Sequence, residues 1–396
     1  MEPKQKAQLI LRVVWIEHTL ASTEFTEIGG LYYKDDLPAT MKSTASPLYV
    51  NANGDKVHRP NFGVGPTNHR QFFDFGRGKI AIDRGQWSTP IEYVTAIAHR
   101  EIASAKAQLK YPLMSEGLFS GPRQYQPNYS AKLSALQNYL KVARYVLPEN
   151  KATHASVLWH GDLNSENIFV DPKDPSRILG IIDWQSVSAY PLFMQVTLPA
   201  FLNYNGPPPK DMSKVPLPAN YDSMGRDEQK KAKELQNAQI LLSIYLVRSF
   251  QGNTDAFQAM KGKDTLRHRV SVTPGLTFMD YEPCLDFYLK DVKTEWPNIV
   301  GVGIDGLPLK PCPLQFSAAE LEQKERAEDL WAQGVKLMDD FIDDTGAFKH
   351  WDGRVTHAEY ELAKKQLDEG VERFLNREAR KKEERKAWLK VLPFVD

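Results

Sequence analysis

The sequence carries no surplus of charge. Its 50 Lys and Arg residues are matched by 50 Asp and Glu, for a formal net charge of zero, so no global field draws in nucleic acid or an anionic membrane surface. No apolar run reaches the length of a bilayer span. Cysteine is almost missing. Cys284 and Cys312 are the only two, with no His or Cys at metal-ligand spacing, which argues against a zinc site or a disulfide framework and for two buried thiols in a reducing compartment. A secretory signal is absent from the first residues, because Arg12 interrupts the apolar stretch and no small-residue cleavage site follows. Glu2 and Glu17 also make this a poor transit peptide. Internal repeats are lacking. The 396 residues leave room for one large domain or two small ones.

What is present concentrates between residues 157 and 184. The stretch His160-Gly161-Asp162-Leu163-Asn164-Ser165-Glu166-Asn167-Ile168-Phe169-Val170-Asp171 is followed by a turn and then by Leu179-Gly180-Ile181-Ile182-Asp183-Trp184. Ile168, Val170, Ile178, Ile181 and Ile182 are β-branched, and Asp171-Pro172-Lys173-Asp174-Pro175-Ser176 is turn chemistry. The pattern predicts a β-hairpin with Asn167 at the start of one arm and Asp183 at the end of the other. Two hard oxygen donors would then meet, and Asp162 on the preceding loop would face the same spot. Such a trio suits phosphoryl transfer from a magnesium nucleotide: Asp162 aims the acceptor hydroxyl or takes its proton, while Asn167 and Asp183 hold Mg2+. A metal-dependent phosphohydrolase could use the same three groups.

The loop His160-Gly161-Asp162-Leu163 with Asn167-Ile168, together with Ile181-Ile182-Asp183-Trp184, resembles the catalytic loop and metal-binding aspartate motif of the aminoglycoside phosphotransferase family. Gly29-Gly30-Leu31-Tyr32-Tyr33-Lys34-Asp35-Asp36, Val64-Gly65-Pro66-Thr67 and Asp83-Arg84-Gly85-Gln86-Trp87-Ser88 resemble a fungal branch of it. The resemblance implies a kinase-like α+β fold, ATP and Mg2+ as cofactors, and a hydroxyl acceptor on a small molecule or protein. Asp162 becomes the catalytic residue, with Asn167 and Asp183 binding the metal and the nucleotide's phosphates. His160 and Trp184 become structural at the site, His160 bonding backbone to brace the hairpin. Where the family usually has a second His, two residues after the aspartate, this chain has Asn164, a change expected to affect loop packing. The region after Asp183 would shape the acceptor pocket, with Gln185 and Tyr190 as candidates. The fungal branch also implies a mitochondrial location, with the address upstream of residue 1; the alternative is cytoplasmic.

A kinase-like enzyme also needs a nucleotide lid with a Gly-rich loop, a strand lysine and a helix glutamate. None is found in residues 1–150: Lys34 follows Gly29-Gly30 too closely, and no Gly-rich loop precedes Lys79. The opening segment instead reads as a helix, with Leu9, Val13, Ile16 and Leu20 at helical spacing and Ile10 and Val14 widening the stripe. The expectation is a protein-kinase-like C-terminal lobe, mainly helical with a catalytic-loop hairpin, either truncated or lidless. A lidless lobe leaves open a non-catalytic, pseudokinase-like scaffold. The expected organisation is a helix and short extended segment over 1–37, a long decorated loop over 38–90, and a helical lobe over 91–396 with its hairpin at 157–184. Helices are expected over 91–109, 129–147 and 226–250, the last with Leu235, Ile240, Leu241, Ile244 and Val247 inward. Residues 291–316 read as loop. Ser317 and Glu320 form a capping box, and Thr356 is expected to cap the last long helix.

Overall fold

The computed structural model describes residues 3–38, 41, 46–111, 117–209, 211–212, 214–346 and 355–393. In chain order the elements begin with α1 (Pro3–Ala21), β1 (Glu24–Phe25), β2 (Gly30–Tyr33), β3 (Tyr49–Val50), β4 (Lys56–Val57) and β5 (Phe62–Gly65). They continue with α2 (Pro90–Lys106), α3 (Tyr129–Val142), β6 (Ser156–Val157), β7 (Ile168–Val170), β8 (Ile178–Ile181), β9 (Tyr190–Pro191) and α4 (Leu192–Gln195). The rest is helical: α5 (Arg226–Gly252), α6 (Thr254–Lys261), α7 (Leu266–Val272), α8 (Glu282–Thr294), α9 (Trp296–Val300), α10 (Ala318–Thr345), α11 (Tyr360–Glu378) and α12 (Lys382–Leu389). The fold is mixed, with helices dominating and small antiparallel sheets between them.

The chain divides into two compact units. The first comprises residues 1–72, 84–93 and 147–268. It holds a five-stranded antiparallel sheet in the order β4-β3-β1-β6-β9, a β2–β5 ribbon and the β7–β8 hairpin. Helix α1 lies against α5 around Ile10, Val14, Leu202 and Tyr245. The fully buried residues of α1 are Ile10, Val13, Val14 and Glu17, so the stripe centres on its widening residues Ile10 and Val14, with Leu9, Ile16 and Leu20 only half-buried. Glu17 can occupy it because the Tyr245 hydroxyl donates to its Oε2 at 2.8 Å. Helix α5 shows the matching correction. Ile240 and Val247, expected inward, are more than a third exposed, while Ser243, Tyr245 and Ser249 are buried. Ser243 hides at little cost because its hydroxyl bonds the Gln239 carbonyl one turn back, at 2.8 Å.

The second unit comprises residues 73–83, 94–146 and 269–396. Its main cluster joins Leu118, Leu337, Met338 and Phe341 to Val371, Phe374, Leu375 and Trp388. A buried ionic knot accompanies it: Arg77 grips Glu101 at 2.9 and 2.7 Å, Arg100 Nε reaches the same carboxylate at 2.7 Å, and the Arg77 guanidinium stacks 3.7 Å over Phe278. The Ser317–Glu320 capping box starts α10 as expected, with both reciprocal bonds formed. Two expectations fail. Of the expected loop over 291–316, residues 291–294 end α8 and 296–300 form α9, where Pro297 sits in the first turn and its missing N–H costs nothing, while 301–316 are loop. Thr356 bonds Glu359 at 2.7 Å, yet α11 begins only after Glu359. Both cysteines are free and half-buried.

Two predictions follow from the packing. Burial lifts the Glu17 carboxyl from 4.5 to about 8, opposed only in part by Tyr245. A raised carboxyl pKa adds stability below about pH 4.5 and surrenders it as pH climbs through about 8. Glu17→Gln is therefore expected to match wild type near pH 4.5 and to gain on the order of a few kcal/mol by pH 9, read as the difference in Tm across a pH series. Second, a β-carbon at Gly370 would lie 2.5 Å from Thr345 Cα and 2.8 Å from the Asp344 carbonyl oxygen. Gly370→Ala should lower stability in urea by about 2 kcal/mol through overpacking, although alanine is the better helix former by about 1 kcal/mol.

Candidate active site

All five residues singled out at the catalytic loop lie in the first unit. The hairpin that carries them forms as its sequence suggests, with Ile168 opposite Ile181 and Phe169 opposite Gly180. Asp171 accepts from the Lys173 backbone at 2.8 Å, and Asp174 from Ser176 at 3.1 Å, so the turn is closed by its own aspartates. The ladder runs one step past the strands: Ile182 N donates to the Asn167 carbonyl at 3.0 Å. Asn167 therefore stands at the root of one arm, and Asp183 follows directly on the other.

Asn167 is buried, and its Nδ2 donates to the backbone carbonyl of Asp162 at 2.8 Å. That bond fixes the amide's orientation and turns Oδ1 away from Asp162; Oδ1 accepts no hydrogen bond among the described residues. Asp162 and Asp183 are both exposed, and neither forms an ion pair among the described residues. Asp183 adopts φ 64°, the left-handed region that Asp tolerates better than most side chains. The chain thereby leaves β8 abruptly, with Val187 N returning to the Trp184 carbonyl at 3.3 Å. An amide oxygen and a carboxylate are the hard donors that Mg2+ prefers, so Asn167 and Asp183 fit such an ion by donor chemistry. Among the described residues, no group of three or more His, Cys, Asp and Glu forms a metal cage.

His160 is buried, with Nε2 2.8 Å from the Ile182 carbonyl oxygen. A carbonyl only accepts, so Nε2 carries the proton. The ring meets Trp184 edge-on, with centroids 4.8 Å apart, and Trp184 Nε1 donates to the Ile181 carbonyl at 2.8 Å. Leu163 is buried and its carbonyl accepts from Ala200 N at 2.9 Å, anchoring the loop from below. The candidate Tyr190 is a core residue instead. Its hydroxyl is shared with Thr67 inside the sheet and its ring stacks on Tyr93 at 4.9 Å. Gln185 is exposed. Sequence reasoning understated Asn164, which bonds both Asp162 and the backbone of Asn167. A side-chain amide immediately before a helical turn was the available signal. Beside the hairpin, Arg12, Trp15 and Ile16 of α1 face Ile178–Ile181 and Trp184 across a cleft of about 630 Å³.

The residues that build this loop lie within a recognised segment. Residues 111–197 match the phosphotransferase enzyme family. The resemblance of the catalytic loop to phosphotransferases is borne out by that match. The chain is also 27% identical over 369 residues to a subtelomeric hrmA-associated cluster protein of Aspergillus fumigatus, covering 83% of this chain and 66% of that protein. It is 26% identical over 234 residues to altered inheritance of mitochondria protein 9, mitochondrial, of Yarrowia lipolytica, covering 57% of this chain and 38% of that protein. The protein of the same name in Lachancea thermotolerans is 26% identical over 203 residues, covering 48% and 31%. The chain thus spans about two thirds of the length of the Aspergillus relative and about a third of the other two. No solved structure gives a significant match.

The backbone at Asp183 separates structural from chemical roles. Both Asp183→Gly and Asp183→Ala remove the carboxylate, but only glycine adopts φ 64° freely. The glycine variant is expected to be more stable than the alanine variant by about 1 kcal/mol in denaturant unfolding.

Proposed function

We propose that this chain is a kinase-like phosphotransferase that moves the terminal phosphoryl group of ATP to a hydroxyl on a small molecule or protein. In this reading it corresponds to the larger lobe of a protein-kinase-like fold. The observation that carries the reading is the tie between loop and hairpin: Asn167 bonds the Asp162 backbone at 2.8 Å while its own carbonyl accepts from the residue before Asp183. The match of residues 111–197 to the phosphotransferase family supports it independently.

The division of labour follows from the chemistry of each group. Asp162, exposed and free of any ion pair among the described residues, orients the acceptor hydroxyl and receives its proton. Asn167 and Asp183 would hold Mg2+, which when bound supplies neutralisation of the phosphate charge. Asn167 can do so because its nitrogen is already committed to backbone, leaving the oxygen as its outward end. His160 ties the loop to the second arm through the Ile182 carbonyl, and Trp184 pins the exit from that arm through the Ile181 carbonyl. The mitochondrial designation of the Yarrowia and Lachancea relatives supports a mitochondrial location. Among the described residues, no helix is long and apolar enough to cross a membrane.

Calorimetry with Mg-ATP tests the reading. Wild type is expected to bind, Asp183→Ala to lose binding by at least about tenfold, and Asp162→Asn to keep both binding and fold while turnover falls by about a hundredfold or more. Unchanged turnover in Asp162→Asn would remove the assigned role. Absence of Mg-ATP binding to wild type would leave a non-catalytic scaffold.

A further inference from the structure

Between Asp162 and Asn167 lies a side chain that bonds to both. Asn164 Oδ1 accepts from the backbone N–H groups of Glu166 at 2.8 Å and of Asn167 at 3.1 Å, capping the short 3-10 turn Ser165–Asn167. Its Nδ2 donates to Asp162 Oδ1 at 3.1 Å. The two ends of one planar amide are therefore spent in opposite directions. Its backbone joins in as well, since Asn164 N donates to the Asp162 carbonyl at 3.0 Å.

This arrangement restrains a carboxylate that little else holds. Asp162 is exposed, and its Oδ2 makes no hydrogen bond among the described residues. An unrestrained Asp on a loop samples several side-chain rotamers, and each must be given up before it can aim a hydroxyl. The bond from Asn164 takes one oxygen and leaves the other directed outward. The same side chain sets the turn from which Asn167 projects. Few residue types can do both. Asp and Ser keep an acceptor for the turn, but Asp lacks a donor for the carboxylate and Ser is shorter by the length of the amide group. Imidazole has a donor and at most one acceptor, so it cannot accept from two backbone N–H groups and donate to a carboxylate in the same plane.

We propose that Asn164 is a positioning residue that locks the Asp162 carboxylate and the Asn167 amide into one frame. The proposal rests on the phosphoryl-transfer reading for its catalytic meaning, but the lock itself is a property of the loop.

The test compares wild type, Asn164→Ser and Asn164→Ala, with Mg-ATP as the probe and ADP release as the signal. Asn164→Ser keeps a neutral cap acceptor and loses the donor that reaches Asp162, so its Tm and its KM for Mg-ATP stay close to wild type while kcat drops by about tenfold or more. Asn164→Ala loses cap and donor together, lowering both Tm and kcat. A kcat for Asn164→Ser within about twofold of wild type overturns the proposal. A readout without turnover accompanies this: in protein labelled with 15N-asparagine, one side-chain proton of Asn164 is expected downfield and slow to exchange, and Asp162→Ala releases it. If Asp162→Ala leaves that resonance unchanged, the lock does not exist. A wild type that releases no ADP counts against the phosphotransferase reading, and the resonance then decides the lock alone.

Discussion

The buried amide of Asn167 is the constraint on which the site depends. Its nitrogen holds the Asp162 carbonyl and its own backbone carbonyl holds Ile182. One residue therefore stitches the loop that carries the first aspartate to the strand that delivers the second. A side-chain amide suits this place because its nitrogen can donate to the loop while its oxygen stays uncommitted, and burial strengthens the bond by excluding water. Removing it would leave His160, through the Ile182 carbonyl, to hold the loop to the hairpin.

The hairpin was legible in the sequence because two independent signals agreed there. Branched residues marked the arms, and a turn with two aspartates and two prolines marked the bend. The structure closes that turn with the same aspartates. The capping box at Ser317 was legible for the same reason: its partner is three residues away. Short-range chemistry is written in short stretches of chain. Asn164 belongs to this class too, although its bond to Asp162 shows only once the loop is folded.

What stayed hidden depended on partners distant in sequence. Glu17 looks like an interruption of the apolar stripe on α1 until Tyr245, 228 residues later, supplies its hydroxyl. The offset of the buried face of α5 has the same origin, since Tyr245 rather than Ile240 or Val247 meets α1. Tyr190 is a candidate for the acceptor pocket only by its place after Asp183, and Thr67 and Tyr93 claim it for the core. Residues 296–300, read as loop, are helical for a local reason: Pro297 sits in the first turn of α9, where its missing N–H leaves no helix bond unmade.

The bracing of the catalytic loop is made almost wholly by groups that do not titrate: the amides of Asn164 and Asn167, the indole N–H of Trp184, and backbone carbonyls. The other strut, His160, donates through Nε2 to a backbone carbonyl. No ion pair among the described residues belongs to this bracing, so added salt screens the charges of Asp162 and Asp183 without loosening the framework beneath them. The loop separates its architecture from its electrical state, and the counterions that gather at its surface leave its shape intact.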